Sequence, residues 1–201
     1  AKAKFGSGIA EARRETLLPF IWGDVATKGR IYGDPSKGSP CRVENGSNYS
    51  YPGYNELLTG APNPNIDSNE KFDNPNINVL EWIGKLPGFQ GKVAAFCSWD
   101  VFPYILNAKR SGLAVNAGWQ GIADLPDAGA SAEIKTIAAE TPHLWPAVRF
   151  DWLTFRAAED CLRTSHPRVL YVAFGETDDW GHEGRYDLYL DAAHRTDNYI
   201  R

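Results

Sequence analysis

The chain contains one apolar run that leads directly into a polar, acidic segment. Residues 169–174 read VLYVAF, and residues 175–182 read GETDDWGH. A continuous run of β-branched and aromatic side chains is typical of a strand covered on both faces of a parallel sheet. Open α/β sheets bind their ligands just beyond the carboxyl ends of such strands. The sequence therefore predicts a buried strand followed by a loop that carries functional side chains.

Two potential metal ligands lie in this predicted loop. Asp178 offers a hard carboxylate oxygen and His182 a borderline imidazole nitrogen, and zinc accepts that mixture well. Gly181 allows the backbone to turn so that both side chains can face one point. Glu176 and Asp179 flank them as possible hydrogen-bond acceptors for the ligands. For the spacing alone, the alternative is that the acidic residues cap the next helix.

Alternating strand and helix patterns predict an α/β fold, a three-layer α/β/α sandwich with a mainly parallel central sheet. Strands are expected near residues 29–32, 41–44, 92–97, 113–116 and 169–174. Helices are expected near residues 9–28, 79–85, 101–109, 130–139, 150–163 and 186–201, with a short helix after Pro52. Residues 61–76 and 118–127 are expected to form loops. A hydrophobic content of 43% suits one domain with a substantial core.

Composition argues against several classes of partner. The formal net charge is −4 with both signs interspersed, which makes a nucleic-acid surface unexpected. No apolar run approaches the roughly 18 residues of a membrane span, and no secretory signal pattern opens the chain. Three widely spaced cysteines, Cys41, Cys97 and Cys161, form no Cys-x-x-Cys pair, so neither a zinc ribbon nor a redox motif is indicated.

Both ends of the chain are expected to be truncated. The sequence contains no Met and opens with a helical pattern, where a doubly wound domain would have its first strand. It stops within another helical pattern, with no Gly or Pro stop signal. We therefore expect residues 1–201 to be a single domain that is incomplete at both ends.

A second group of residues suggests a nucleophile. Residues 48–60 read NYSYPGYNELLTG, and Pro52 suits the first turn of a helix because its missing N–H would be unpaired there. Ser50 would then lie at the helix N-terminus, where free N–H groups and the helix dipole favour an anion. A serine hydroxyl also needs a base or a metal ion for activation. The alternative is that Ser50 simply caps the helix.

Together these residues resemble the alkaline phosphatase superfamily, in particular its type I phosphodiesterase/nucleotide pyrophosphatase-like branch. The resemblance extends over about residues 11–201 and rests on Ser50 and Pro52 at a helix start, a following Leu-Leu-Thr-Gly, and a late Asp-x-x-Gly-His. It implies that Ser50 is the covalent nucleophile and bridges two divalent metal ions. It also implies that Asp178 and His182 bind one of these ions, with zinc expected and manganese or magnesium as alternatives.

The resemblance implies a metal-dependent hydrolase that acts on phosphomonoesters or phosphodiesters through a covalent phosphoseryl intermediate. The expected partner is a small-molecule phosphoester. The remaining metal ligands of the family would lie outside residues 1–201, so this segment alone is expected to be inactive. Hydrolases of this kind are often exported, which suggests a periplasmic or secreted location.

Four residues are candidates for substrate binding. An amide of Asn74 or Asn76 could donate to a nonbridging phosphoryl oxygen, although such asparagines are usually turn formers. Trp99 and Asp100 follow the strand predicted near residues 92–97 and could line the substrate pocket. Helix capping is the alternative role of Asp100.

Three alternative functions remain open. Sulfatases share the implied fold, but their modification motif has Arg where this chain has Tyr54, so phosphoesters are preferred. A phosphoglycerate mutase-like phosphotransferase would also use a metal-bound serine. A noncatalytic binding relative would keep the fold without the metal ions.

Overall fold

The computed structural model describes residues 2–201. In chain order its α-helices are α1 (Lys2–Phe5), α2 (Ala10–Leu17), α3 (Ala26–Lys28), α4 (Ser50–Thr59), α5 (Val79–Gly84), α6 (Phe102–Ile105), α7 (Ala108–Ser111), α8 (Gly118–Ala123), α9 (Gly129–Glu140), α10 (Asp151–Ser165), α11 (Glu176–His182) and α12 (Tyr186–Ile200). The chain divides into two compact units. The first unit comprises residues up to Arg42 and Glu176–Arg201, and the second comprises Val43–Gly175. The prediction of a single domain over 1–201 stays a prediction.

The second unit contains a parallel three-stranded sheet, as expected for an α/β fold. Its strands are β1 (Val93–Cys97), β2 (Ala114–Ala117) and β3 (Val169–Ala173), in the order β2-β1-β3. Cys97 pairs with both Ala117 and Ala173. The three strands therefore end at one edge of the sheet, where α/β folds bind ligands.

Helices cover both faces of this sheet. Alternate residues of a strand point to opposite faces, and every residue of β1 is buried. Val93, Ala95 and Cys97 belong to one core cluster with residues of α4, α5 and α6. Ala94 and Phe96 belong to a second cluster with residues of α8, α9 and α10. This is the predicted α/β/α arrangement.

Strand β3 is less buried than its sequence suggests. Four of its five residues are only half-buried, although the apolar run predicted a strand covered on both faces. Within the described residues β3 lies at the edge of the sheet and pairs with β1 alone. The edge position explains the exposure, because one side of the strand has no neighbouring strand.

Several predicted elements differ from the structure. Residues 29–32 and 41–44 form no strand, and they pair with no strand in the part of the chain that the structure describes. The predicted loop over 118–127 begins with α8. The helix predicted over 101–109 is divided into α6 and α7, because Asn107 between them has a left-handed conformation with φ of 43°.

The predicted loop at 175–182 is also wrong, because residues Glu176–His182 form helix α11. Three carboxylates, Glu176, Asp178 and Asp179, lie in its first turn. Negative charge there interacts favourably with the helix dipole. The acidic composition that suggested a polar loop therefore favours a helix N-terminus.

In the first unit, the helix predicted over 9–28 is interrupted. α2 is followed by one π-helical turn, Ile21–Val25, and then by α3. The fully buried Asp197 on α12 accepts hydrogen bonds from the backbone N–H groups of Phe20 and Ile21, at 2.8 and 2.9 Å. This carboxylate caps a new helical start and so explains the interruption. Among residues 2–201, no helix has the length and apolarity needed to cross a membrane.

A buried glutamate joins α5 to α7 in the second unit. The Glu81 side chain is fully buried, with Oε1 2.7 Å from Lys85 Nζ and Oε2 2.7 Å from Arg110 Nη2. Arg110 also donates to the carbonyl oxygens of Asn74 and Asn76, at 2.8 and 2.7 Å. Arg110 therefore fixes residues 74–76, the end of the asparagine-rich segment 61–76, to the core.

We predict that Glu81→Gln lowers the free energy of unfolding by about 2 kcal/mol at neutral pH, because Arg110 loses its charged partner. Hydrogen bonding from Arg110 lowers the pKa of Glu81, burial opposes this, and Lys85 lowers it further. The stabilisation is therefore complete above the unfolded pKa of about 4.3 and is lost as the pH falls through the lower folded pKa.

Urea unfolding of wild type and variant between neutral and acidic pH measures this effect. The stability difference should shrink in acid, since only the wild type loses a charged carboxylate. Glu140→Gln is the matched control, because Glu140 is exposed and makes no ion pair within residues 2–201. A difference that stays constant down to about pH 3 would contradict the assignment.

Candidate functional site

Ser50 is the first residue of α4 and is exposed. Tyr49 before it has an extended backbone and occupies the N-cap position without a side-chain cap. The Ser50 hydroxyl makes no hydrogen bond within residues 2–201, so Ser50 does not act as a helix cap. Pro52 lies in the first helical turn, as predicted. The hydroxyl is thus presented to solvent at the positive end of the helix dipole.

The residue after Ser50 is anchored on both its backbone and its side chain. Tyr51 is fully buried, and its N–H donates to Asn69 Oδ1 at 2.9 Å. Its hydroxyl donates to the carbonyl oxygen of Phe72 at 2.9 Å, and its ring stacks on the Phe72 ring. These contacts hold residues 69–72 against the first turn of α4.

Asn69 is a candidate site residue that the sequence interpretation missed. Its side-chain oxygen binds the backbone of Tyr51, while its NH2 group makes no hydrogen bond within the described residues. The Asn69 side chain therefore lies against the residue that follows Ser50, and its NH2 group has no partner within the described residues. The signal was ambiguous, because Asn69 is one of several asparagines in the same segment.

The two asparagines named from the sequence form an internal network instead. Asn74 is fully buried, and its Nδ2 donates to Asn55 Oδ1 and to the Ile105 carbonyl oxygen, each at 3.1 Å. Asn74 Oδ1 accepts from the backbone N–H of Asn76 at 2.9 Å, and Asn76 Nδ2 donates to Asn55 Oδ1 at 2.9 Å. Asn76 Oδ1 accepts from Asn63 at 3.2 Å. These contacts give both side chains structural roles.

Trp99 and Asp100 lie just beyond the carboxyl end of β1. Asp100 Oδ2 is 2.7 Å from Lys71 Nζ, and Lys71 belongs to the segment that also carries Asn69. Helix α6 has Val101 at its N-cap position, so Asp100 forms an ion pair rather than a cap. Trp99 is half-buried, with its ring edge-on to Phe102. Both residues lie at the edge expected for a pocket.

A buried cation lies at the same edge of the sheet. Arg149 is completely buried, and its guanidinium donates to Thr154 Oγ1 at 2.8 Å, Asn116 Oδ1 at 2.7 Å and the Gly118 carbonyl oxygen at 2.9 Å. Burial lowers the pKa of Arg149 to about 10, although the carboxylate of Asp151 opposes this shift. The guanidinium is therefore still protonated at neutral pH.

A second part of this network connects β1 to β3. Ser98 is the residue after β1. Its hydroxyl donates to Asp151 Oδ1 at 2.7 Å, and the hydroxyl oxygen lies 2.8 Å from Thr154 Oγ1. The same Asp151 oxygen accepts from the backbone N–H of Gly175 at 2.7 Å. One carboxylate thus fixes the residues that follow two strands.

Asp178 and His182 lie in the first unit, one helical turn apart on α11. Asp178 Oδ2 is 3.5 Å from His182 Nε2, and the two side chains are 71% and 80% exposed. They line an open cavity of about 510 Å³ together with Thr177, Gly181 and Tyr189. Because Asp178 and His182 are four residues apart on a helix, both lie on one accessible face of α11. The predicted loop would not have fixed them in this way.

The buried side of α11 is held by charge. Glu176 is almost fully buried, and its Oε2 lies 2.5 Å from Arg195 Nη2 on α12. Trp180 Nε1 donates to the same oxygen at 3.3 Å. Within residues 2–201, no group of three or more His, Cys, Asp or Glu side chains is arranged to hold a metal ion.

No protein-family model, curated protein or solved structure matches this chain.

Gly118 is a packing constraint on Asp100. It has φ of +58°, and a Cβ built on it would lie 2.5 Å from Asp100 Cβ. We predict that Gly118→Ala lowers the free energy of unfolding by about 2 kcal/mol, because it combines backbone strain with steric overlap.

Gly53→Ala is the control, since Gly53 is helical and a Cβ there meets nothing within 4 Å. It should stabilise the protein by up to about 1 kcal/mol. Urea unfolding measures both variants. Equal midpoints for the two would show that the close approach to Asp100 does not constrain the fold.

Proposed function

We propose that this chain belongs to a metal-dependent hydrolase of phosphomonoesters or phosphodiesters in which Ser50 is the nucleophile. The observation that carries the proposal is the exposed Ser50 hydroxyl, which has no hydrogen-bond partner within residues 2–201 at the N-terminus of α4. A serine at a helix N-terminus, with a hydroxyl that has no internal partner, is available to attack phosphorus. The helix dipole there favours both an anionic substrate and a developing alkoxide.

Asn69 is proposed as the donor to a nonbridging phosphoryl oxygen. Its Oδ1 accepts from the N–H of Tyr51 at 2.9 Å, which fixes the amide group next to the first turn of α4. Its NH2 group has no partner within the described residues. A preorganised donor of this kind stabilises charge that develops during phosphoryl transfer. Asn69 fits this role better than Asn74 or Asn76, whose amides are used internally.

Asp178 and His182 are proposed as ligands of one of two divalent ions. Two donors about 2.0–2.1 Å from a tetrahedral ion are about 3.3 Å apart, and the observed separation of Oδ2 and Nε2 is 3.5 Å. The pair would hold one ion through an oxygen and a nitrogen donor, a combination that zinc accepts. When bound, such an ion would supply Lewis-acid chemistry at this pair.

Trp99 and Asp100 are proposed to contact the substrate at the carboxyl end of β1. The Lys71–Asp100 ion pair lies in the same unit as Ser50, and Lys71 is two residues from Asn69. The Trp99 ring could stack on an organic leaving group.

Substitution of Ser50 tests the proposal. In the full-length protein, Ser50→Ala should reduce kcat/KM for an aryl phosphomonoester or diester at least about 1,000-fold, because the nucleophile is lost. Ser165→Ala is the matched control, since Ser165 is also exposed but ends α10 instead of beginning a helix. It should leave the rate unchanged. Wild-type activity in Ser50→Ala would overturn the proposal.

Metal analysis separates this proposal from a noncatalytic relative. The full-length protein should contain close to two divalent ions per chain, and Asp178→Ala or His182→Ala should remove about one of them, since each variant deletes one ligand. A metal content near zero in active wild-type protein would contradict the assigned ligands. Phosphoryl transfer to phosphoglycerate with no net hydrolysis would instead favour a mutase.

A further inference from the structure

The segment before α4 is ordered by its own side chains. Residues 44–49 have no regular secondary structure, yet Asn45 Oδ1 accepts a hydrogen bond from the N–H of Ser47 at 2.8 Å. Ser47 Oγ in turn accepts from the N–H of Tyr49 at 3.2 Å. Such local acceptors replace the backbone partners that regular structure would supply. Each turn fixes the next, and the second ends at the residue before Ser50.

A carboxylate of α4 closes this series of turns. Glu56 Oε1 accepts from the N–H of Glu44 at 2.7 Å, and Oε2 accepts from the N–H and the Nδ2 of Asn45 at 3.0 and 2.8 Å. Glu56 follows Ser50 by six residues on the same helix. The approaching segment is thus bound back onto the helix that carries the nucleophile.

Ser50 is therefore fixed on both sides by acceptor side chains. The N–H of Tyr49 is bound by Ser47, and the N–H of Tyr51 is bound by Asn69. The contact between Ser47 and Tyr49 depends on the turns that Glu56 holds. The contact between Asn69 and Tyr51 depends on the segment after α4 that carries Asn69. A nucleophile held in this way loses little orientation entropy when it attacks.

We infer that Glu56 is a positioning residue, which orients Ser50 through Asn45, Ser47 and Tyr49. This inference rests on the proposed function. Glu56 acts through the backbone and touches no reacting atom. Only a carboxylate satisfies all three donors, because glutamine would direct an NH2 group at one of them. Burial acts to raise the pKa of Glu56, but the hydrogen bonds from Glu44 and Asn45 hold it below its usual value. The group is therefore ionised at neutral pH.

Steady-state kinetics of full-length Glu56→Gln test the inference with an aryl phosphoester. The expected result is a loss of kcat of about 10- to 100-fold, with KM changed less than about twofold, because orientation of the nucleophile affects the chemical step more than substrate binding. Ser47→Ala should lower kcat in the same way, and Ser47→Thr should restore it because the hydroxyl acceptor is kept.

Glu159→Gln is the matched control. The Glu159 carboxylate also accepts from neighbouring side chains, Arg156 and Arg163, but it lies on α10 and outside these turns. It should leave kcat unchanged. Rates are divided by the concentration of metal-loaded protein, so that a smaller folded fraction does not lower the measured kcat. An unchanged kcat in Glu56→Gln, or a loss equal to that in Glu159→Gln, would overturn the inference.

Hydrogen exchange gives a readout that does not depend on catalysis. Amide exchange in a peptide spanning residues 44–51 should accelerate in Glu56→Gln, with exchange in β1 unchanged. If exchange accelerates in Glu56→Gln but Ser50→Ala keeps full activity, Glu56 does order these turns and the proposed function is wrong. If exchange is unchanged in Glu56→Gln and Ser50→Ala is inactive, the proposed function stands and the role of Glu56 is wrong.

Discussion

The edge of the sheet where the three strands end depends on the hydrogen bonds of the buried Arg149 guanidinium. The guanidinium connects the end of β2 to the start of α10, and the adjoining Asp151 connects the residues that follow β1 and β3. A buried charge is tolerated only when its donors are satisfied and a counter-charge lies nearby. This requirement sets the relative positions of the three strand ends and of the residues beyond them.

The proposed chemistry uses a different type of constraint. Ser50 is exposed and lacks an internal partner within residues 2–201, whereas the residues on either side of it are fixed by Ser47 and Asn69. A reactive hydroxyl can remain available only if the backbone around it is ordered by other groups. Glu56 supplies part of that order from within the same helix. The arrangement separates the proposed nucleophile from the contacts that position it.

The sequence predicted the features that depend on local patterns. The parallel strands near residues 93–97 and 169–173 and the helix start at Ser50 follow from apolar periodicity and from Pro52. The helical conformation of Asp178 and His182 was missed, because acidic residues suit both polar loops and helix N-termini. Arg149, Asn69 and Glu56 were missed because their partners are distant in sequence or are backbone atoms, so no spacing motif marks them.

The phosphorylation state of Ser50 during turnover tests the central claim most directly. The full-length protein is mixed with an aryl phosphomonoester, quenched in acid, digested and mapped by mass spectrometry. The account predicts a phosphoryl group on Ser50 in the peptide that contains residues 48–60. A phosphoryl group on a different residue, or turnover with no phosphoryl group on that peptide, would contradict it.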